Sequence, residues 1–373
     1  MANESQLRPS EIKDVLLSEI ENYEEELHGI VGQQNVEVNA EGRILRVIDK
    51  IPPLPGNNLV LNLDMELQRT AEQALGDFAG AVIVMQPKTG AVLAFVSEPV
   101  YDPNLFVHGI SVKDYNELRE GDYKPLFNRA LFGQYPPGST FKSFLGLAGI
   151  DAKVIGHKQS MRCIGYYTLP NDKEHRYRDW KKQGHGQVDL SDAIEQSCDV
   201  YFYELAHRLG INRMHDYLRE FGFGDKTGID LFGERSGLLP SREWKRRVHN
   251  KIWYPGETLI AGIGQGYMLA TPLQLASAVS AVATRGTRYR PHMVAAVEDG
   301  LTGERRLIRP ERLPDVEISN EFYWRHGVDA MTASIDALRE VAAPVTAAVL
   351  TTMAAFGPLI LLPGILGDFM RVV

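Results

Sequence analysis

Cysteine is scarce in this chain: Cys163 and Cys198 are the only two among 373 residues. Two thiols cannot build a disulfide framework. They leave one bridge, a metal site or two free thiols open, and they do not fix the redox compartment. Basic charge is also short, with 40 Lys and Arg against 48 Asp and Glu and a formal net charge of -8. With no basic stripe interleaved with aromatics either, a nucleic-acid partner is disfavoured. No apolar segment opens the sequence, so neither a signal peptide nor an N-terminal anchor is expected in it. A repeat period is missing too. What remains is a globular composition, 44% hydrophobic, with enough apolar residues for a sizeable core in about two domains.

Ser10 to His28 reads as an amphipathic helix. Val36 to Ile48 alternates apolar and polar residues around the turn-like Asn39-Ala40-Glu41-Gly42, as a hairpin does. Pro52, Pro53 and Pro55, then Gly56-Asn57-Asn58, mark a boundary. Beyond it the pattern predicts a strand over Leu59 to Leu63, a helix after Asp64, and strands Gly80 to Met85 and Ala91 to Ser97 joined by Gln86-Pro87-Lys88-Thr89-Gly90. A loop-rich stretch follows to Leu190. Helices are then expected over about Ser191 to Gly210, Asn212 to Phe221 and Thr271 to Arg285, which makes the fold class α+β.

The chemistry centres on Gln134-Tyr135-Pro136-Pro137-Gly138-Ser139-Thr140-Phe141-Lys142. The prolines stiffen the approach, Gly138 permits a tight turn, and Ser139 and Thr140 suit a helix start before the apolar run Phe141, Phe144, Leu145, Leu147. Residues three apart share a helix face, so the Lys142 amine sits beside the Ser139 hydroxyl. Desolvation there favours the neutral amine that takes the proton from a serine nucleophile. Ser10-Glu11-Ile12-Lys13 has the same spacing, but it lies in a charged stretch with no exposing turn and reads as a solvated face. A second element, Ser197-Cys198-Asp199, falls inside the helix expected over Asp192 to Leu209. Alone it is an ordinary helix. Behind a Ser-x-x-Lys helix it offers a hydroxyl for proton shuttling and a carbonyl-type oxygen for a substrate amide.

Taken together, Tyr135 to Lys142, Ser197-Cys198-Asp199 and Gly262-Ile263-Gly264-Gln265-Gly266 before Thr271-Pro272-Leu273-Gln274 resemble the penicillin-binding transpeptidases. The likeness runs from about Glu24 to Met331. It extends to His175-Arg176-Tyr177-Arg178-Asp179-Trp180 and to Ser236-Gly237-Leu238-Leu239-Pro240-Ser241-Arg242-Glu243-Trp244. The resemblance implies a serine β-lactamase-like fold, a mixed sheet flanked by helices, behind a partial N-terminal pedestal. It implies acyl transfer on the D-Ala-D-Ala end of peptidoglycan stem peptides, with Ser139 attacking, Lys142 as base and Ser197 relaying a proton. Asp199 stands where many relatives have Asn. β-Lactams as ligands, membrane wall-elongation proteins as partners, and a periplasmic catalytic domain on the bacterial inner membrane follow from the same likeness. A β-lactamase or D,D-carboxypeptidase uses similar motifs, but the longer strings and the pedestal favour the transpeptidase. A non-catalytic fragment is the competitor from another class.

The family also needs Lys-Ser/Thr-Gly on a strand lining the cleft. Lys88-Thr89-Gly90 precedes the nucleophile and Lys226-Thr227-Gly228 follows a glycine-rich loop, so both read as decoys, and the domain is expected to stop short of its third motif. From Val341 to Leu366 the sequence is uncharged and long enough for a membrane helix despite Pro344, Pro358 and Pro363. Residues from Arg339 to Met370 resemble a segment of resistance-nodulation-division efflux transporters, which makes the chain read as a chimera joined near Ser334. The expected division is 1–58 pedestal, 59–333 transpeptidase, 334–373 apolar tail.

Cys163, Asp179, His185 and Cys198 are of the kinds that zinc takes, at irregular spacing. A Cys163 to Cys198 disulfide and a buried free Cys198 are the alternatives. The family resemblance favours a structural zinc there, with Asp more usual in relatives at Cys163. No cofactor is expected for catalysis itself.

Overall fold

The computed structural model describes residues 23–319, apart from 108 and 157. The expected helix from Ser10 therefore lies largely outside the described residues. The apolar tail and the junction near Ser334 lie wholly outside them.

The N-terminal hairpin forms where the alternation places it, as strands β1 (Gln33–Val38) and β2 (Ile44–Ile51) paired antiparallel. Asn39 closes the turn, its side-chain oxygen accepting from the Glu41 and Arg43 amides. The hairpin does not bury one face: every residue of β2 is exposed. Its base is tied to the larger domain by Tyr23, which donates to Asp230 at 3.0 Å, and by Glu26, which accepts from Asn57 and Arg306.

After the proline-rich boundary, β3 (Asn58–Leu61) leads to Asp64, whose carboxylate caps the helix Met65–Leu75 by accepting from the Glu66 and Leu67 amides. β4 (Gly80–Met85) and β5 (Val92–Glu98) make the expected antiparallel pair. Much later in the chain β10 (Val294–Glu298) pairs antiparallel with both β3 and β11 (Arg305–Leu307). A parallel bridge from Ala91 to His292 joins this trio to the β4–β5 pair, so the sheet is mixed. The helix Pro272–Ala283, capped by a reciprocal Thr271 and Gln274 box, packs on β4.

A helical half carries the main core. The helices Lys142–Asp151, Asp199–Glu220 and Pro255–Gly262 pack together around Phe141, Phe144, Leu145, Phe202 and Leu205, all fully buried. Each such side chain stabilises the fold by roughly 1.5–3 kcal/mol. Glycine allows close approach here: a Cβ at Gly262 would lie 2.3 Å from that of Ala206.

Two expectations need correction. The stretch before Leu190 is not loop-rich but folds into two antiparallel pairs: β6 (Met161–Cys163) with β9 (Gly186–Val188), and β7 (Tyr166–Leu169) with β8 (Asp172–Arg178). Its strands are short and its charges fall on exposed positions, which hides the alternation. The single helix expected over Asp192 to Leu209 is two, Leu190–Glu195 and Asp199–Glu220, broken at Ser197, where φ is 53°. The break is set from outside the segment, because the buried Asp179 carboxylate accepts from the Val200 amide at 3.0 Å and caps the second helix. The boundary expected between the helices ending at Gly210 and starting at Asn212 is a kink at Gly210, where φ is 75°.

Gly264 is the tightest backbone approach near Ser139. Its φ is 70°, and a Cβ there would fall 2.4 Å from the Gly138 carbonyl oxygen and 2.9 Å from the Phe141 Cβ. Gly42 has a φ of 77° but nothing within 4 Å. Gly42→Ala is expected to cost only the left-handed penalty of about 1–2 kcal/mol. Gly264→Ala should lose about 1–3 kcal/mol more through overpacking. Urea unfolding of both variants checks this, and equal losses would contradict the packing argument.

Candidate functional site

The turn that presents Ser139 is pinned at both ends. Tyr135 and Ala270 exchange two backbone hydrogen bonds at 2.9 Å, and the Gly138 amide donates to the Gly264 carbonyl at 2.9 Å. Gly138 itself has a φ of 57°. The chain then winds through a 3-10 turn, Gly138–Phe141, into the helix that begins at Lys142. Phe141 is fully buried against Phe144 and Phe223, so the turn cannot rotate and Ser139 is left exposed.

Lys142 points the other way, into the interior, and is only 1% exposed. Its Nζ donates to Asp199 Oδ1 at 2.7 Å, to Ser197 O at 2.9 Å and to Ser197 Oγ at 3.0 Å, with the Phe202 ring 5.5 Å away. Three oxygens account for the three donors of an ammonium, which is the condition for burying that charge without a large penalty. The hydroxyls of Ser139 and Ser197 are 2.7 Å apart. The structure thus brings the four sequence-predicted residues together as a continuous path from Ser139 through Ser197 to Lys142 and Asp199. The expected side-by-side contact of Ser139 and Lys142 is replaced by a link through Ser197. Asp199 was expected to offer an oxygen to a substrate amide; one of its oxygens is instead committed to Lys142. Such a path can carry a proton from an attacking hydroxyl to a buried amine in two short steps.

The left-handed backbone at Ser197 is what aims its hydroxyl and carbonyl at the same amine. Sequence gave no sign of it. Trp180 also buttresses this turn, donating from Nε1 to the Gln196 carbonyl at 3.2 Å.

Immediately behind the turn lies a second cluster. The candidate ligand atoms of Cys163, Asp179, His185 and Cys198 all fall within 4.8 Å of one another. Both cysteines are free and buried, so the disulfide alternative is not realised. Asp179 Oδ2 accepts from Cys163 Sγ at 3.6 Å and Cys198 Sγ at 3.5 Å. His185 Nδ1 lies 3.5 Å from Cys163 Sγ and 3.6 Å from Asp179 Oδ1. Ligand bonds of 2.0–2.3 Å to a tetrahedral metal imply edges of roughly 3.3–3.8 Å between donors, and these four separations, two of them to Asp179 Oδ2 and one to its Oδ1, fall in that range. His185 Nδ1 is the ring nitrogen that faces the cluster, while Nε2 is buried without a hydrogen-bond partner among the described residues. Burial, reinforced by the Cys163 thiol and the Asp179 carboxylate, pushes the Cys198 thiol well above its ordinary range.

Neither Lys-Thr-Gly triplet joins this site. Gly90 and Thr89 close the turn between β4 and β5 on Gln86, and the Thr227 and Gly228 amides donate to the Glu234 carboxylate at 2.7 and 3.0 Å.

Comparison with known proteins agrees with this geometry. The penicillin binding protein transpeptidase domain matches residues 80–329, and the penicillin-binding protein dimerisation domain matches residues 20–61. The peptidoglycan D,D-transpeptidase MrdA of Salmonella typhimurium is 46% identical over 280 residues, 75% of this chain and 45% of that protein. MrdA of Escherichia coli K12 is 43% identical over 310 residues, 83% of this chain and 48% of that protein. The chain thus spans about half the length of these relatives. Among solved structures, Pseudomonas aeruginosa PBP2 in complex with WCK 5153 superposes with a TM-score of 0.73 at 47% identity, covering 83% of this chain and 63% of that one. PBP2 from Helicobacter pylori in complex with MreC gives 0.72 at 34% identity, covering 85% and 56%. The chain belongs to the penicillin-binding protein transpeptidase family and, within it, to the PBP2 and MrdA type.

Proposed function

We propose that this chain performs acyl transfer on the D-Ala-D-Ala end of peptidoglycan stem peptides, and that β-lactams acylate the same serine. The observation that carries the reading is the path from Ser139 through Ser197 to the buried Lys142, 2.7 and 3.0 Å per step. Ser139 Oγ attacks the carbonyl carbon of the penultimate D-Ala while its proton passes to Ser197, whose own proton passes to Lys142 Nζ. The ammonium becomes a base by handing the proton it donates at 2.7 Å to Asp199 Oδ1, and the same carboxylate returns that proton as the path resets. Collapse of the tetrahedral intermediate breaks the peptide bond, and the proton returns along the path to the departing D-Ala amine. An acceptor amine then attacks the acyl-enzyme and releases Ser139. No cofactor enters any step.

The Cys163, Asp179, His185 and Cys198 set is read as a structural zinc site. It is supported by a donor set of two thiols, an imidazole and a carboxylate whose ligand atoms lie within 4.8 Å of one another. Such an ion would hold β6, β8 and β9 to the turn between Ser197 and Asp199, because Cys198 lies between those two residues in sequence. Its role is to fix the turn, with no part in the chemistry.

The 1–58 region is read as the pedestal remnant and 59–333 as the transpeptidase unit. Ile44, Leu45, Val47, Ile48 and Ile51 are exposed along β2. These exposed apolar residues, split by register between the two faces of the strand, support docking to a protein partner such as a wall-elongation protein; PBP2 from Helicobacter pylori has such a protein partner in its complex with MreC. The substrate places the domain on the periplasmic side of the inner membrane. Among the described residues no helix is long and apolar enough to cross a membrane.

Labelling with a fluorescent penicillin and mass spectrometry of the adduct test the nucleophile. Ser139→Ala is expected to abolish capture and Ser10→Ala to leave it unchanged; an adduct on another serine overturns the assignment. Capture by the 373-residue chain should also be slow, since neither Lys-Thr-Gly triplet lies at Ser139 and each missing oxyanion donor costs about a hundredfold to a thousandfold. Grafting a relative's Lys-Thr-Gly segment after Ala333 should accelerate it, and equal rates for the two chains contradict this point.

Metal analysis of the purified protein is expected to give one zinc per chain. Binding requires Cys198 to lose a proton that burial holds on, so zinc should be released as the pH falls. Cys198→Ser should lower zinc content and the melting temperature together. Zinc-free protein that melts at the same temperature as zinc-loaded protein rules the site out.

A further inference from the structure

One concave surface is lined by none of the residues of the Ser139 path, and acyl transfer does not use it. It is a trough of about 750 Å³ between the C-terminal half of the Asp199–Glu220 helix and the helix Arg242–His249. A contiguous recess of about 410 Å³ shares His215, Arg219 and Arg247 with it. The trough falls on the Ser236 to Trp244 string that stands out in the sequence, and on the Lys245-Arg246-Arg247 that follows it.

Its lining is cationic in an acidic protein. Arg219, Arg242, Arg246 and Arg247 face two carboxylates, Asp216 and Glu243. Arg219 makes a loose pair with Asp225 at 3.3 Å in which both side chains are more than half exposed. Among the described residues the side chains of Arg242, Arg246 and Arg247 have no hydrogen-bond or ion-pair partner. Four exposed guanidinium groups against two carboxylates around one concavity give it a local positive potential that attracts an anion.

The arginines project from a fixed support. Lys245, between Glu243 and Arg246, is only 2% exposed, is ion-paired with Glu257, and lies over the rings of Tyr254 at 4.7 Å, Trp253 at 5.8 Å and Tyr267 at 5.9 Å. This anchor sets the helix rotation and so holds Arg246 and Arg247 on the solvent side. Ser241 caps the helix by accepting from the Trp244 amide at 3.0 Å, and the first turn, with its partial positive charge, belongs to the trough wall.

We propose that this trough binds a phosphoryl group, best a diphosphate. A carboxylate is filled by one guanidinium fork, whereas a diphosphate presents oxygens to several forks at once. The chemistry is shared by a soluble diphosphate and by an anionic phospholipid headgroup. The proposal is independent of the acyl-transfer reading.

Titration calorimetry at low ionic strength with inorganic pyrophosphate is the test, with succinate as the carboxylate control. Pyrophosphate is expected to bind more tightly than succinate and to weaken with salt. The R242Q/R246Q/R247Q variant should lose affinity by about tenfold or more. If that variant fails to melt like the parent, Arg247→Gln alone serves, with a smaller loss. Sedimentation with phosphatidylglycerol vesicles against phosphatidylcholine vesicles separates the sources. Pyrophosphate binding that depends on these arginines supports the site with a soluble ligand, and vesicle binding that depends on them supports it with a lipid headgroup. Binding of neither probe, binding unchanged in the variants, or succinate binding as well as pyrophosphate overturns it.

Discussion

The ion pair between Lys142 and Asp199 is the constraint on which the catalytic half depends. An ammonium that is 1% exposed is tolerable only if its desolvation is offset, and here a carboxylate at 2.7 Å and two oxygens of Ser197 do so. To supply all three from one short segment, the chain must reverse direction at Ser197, which explains its left-handed backbone between two helices. The same reversal brings the Ser197 hydroxyl within 2.7 Å of Ser139. Burying the lysine and aligning the proton path are therefore one structural event.

That event is supported from two sides. On one, Gly264 and Ala270 fix the Ser139 turn through backbone hydrogen bonds, with glycine at 264 because no side chain fits beside the Gly138 carbonyl. On the other, Asp179 caps the helix at Val200 and gathers both thiols, so the cluster of Cys163, His185 and Cys198 meets the turn at its base. Asp179 is consequently both a helix cap and a member of a metal-binding set. An ion there would stiffen the segment that positions Ser197, which is why a structural metal matters to a reaction it does not enter.

Much of this was legible in the sequence, for identifiable reasons. Ser139 and Lys142 could be read because turn residues and an apolar helix stand next to each other in the chain, and local signals suffice. The hairpin of β1 and β2, the Asp64 cap and the β4–β5 pair were readable on the same grounds. The four metal-type residues could be picked by chemistry, although nothing in their spacing predicts edges of 3.5–3.6 Å. The break at Ser197 was hidden, because the residue that caps the second helix, Asp179, is distant in sequence. So was the Lys245 cage: a lysine in a basic run looks solvated until Glu257 and Tyr254 fold over it. The β6 to β9 pairs escaped because β6, β7 and β9 have only three or four residues, too few alternations to count, and the longer β8 is polar and exposed nearly throughout.

The central claim is that Lys142 and Asp199 act as a pair whose value lies in their mutual contact. A double-mutant cycle on unfolding free energy tests it, using Lys142→Met, Asp199→Leu and the combination. Each single change strands a buried charge and should cost about 3–5 kcal/mol. The double variant should be far less damaged than the sum, with a coupling of about 2 kcal/mol or more. Losses that add to within about 0.5 kcal/mol would contradict the account and show the two residues to be independent.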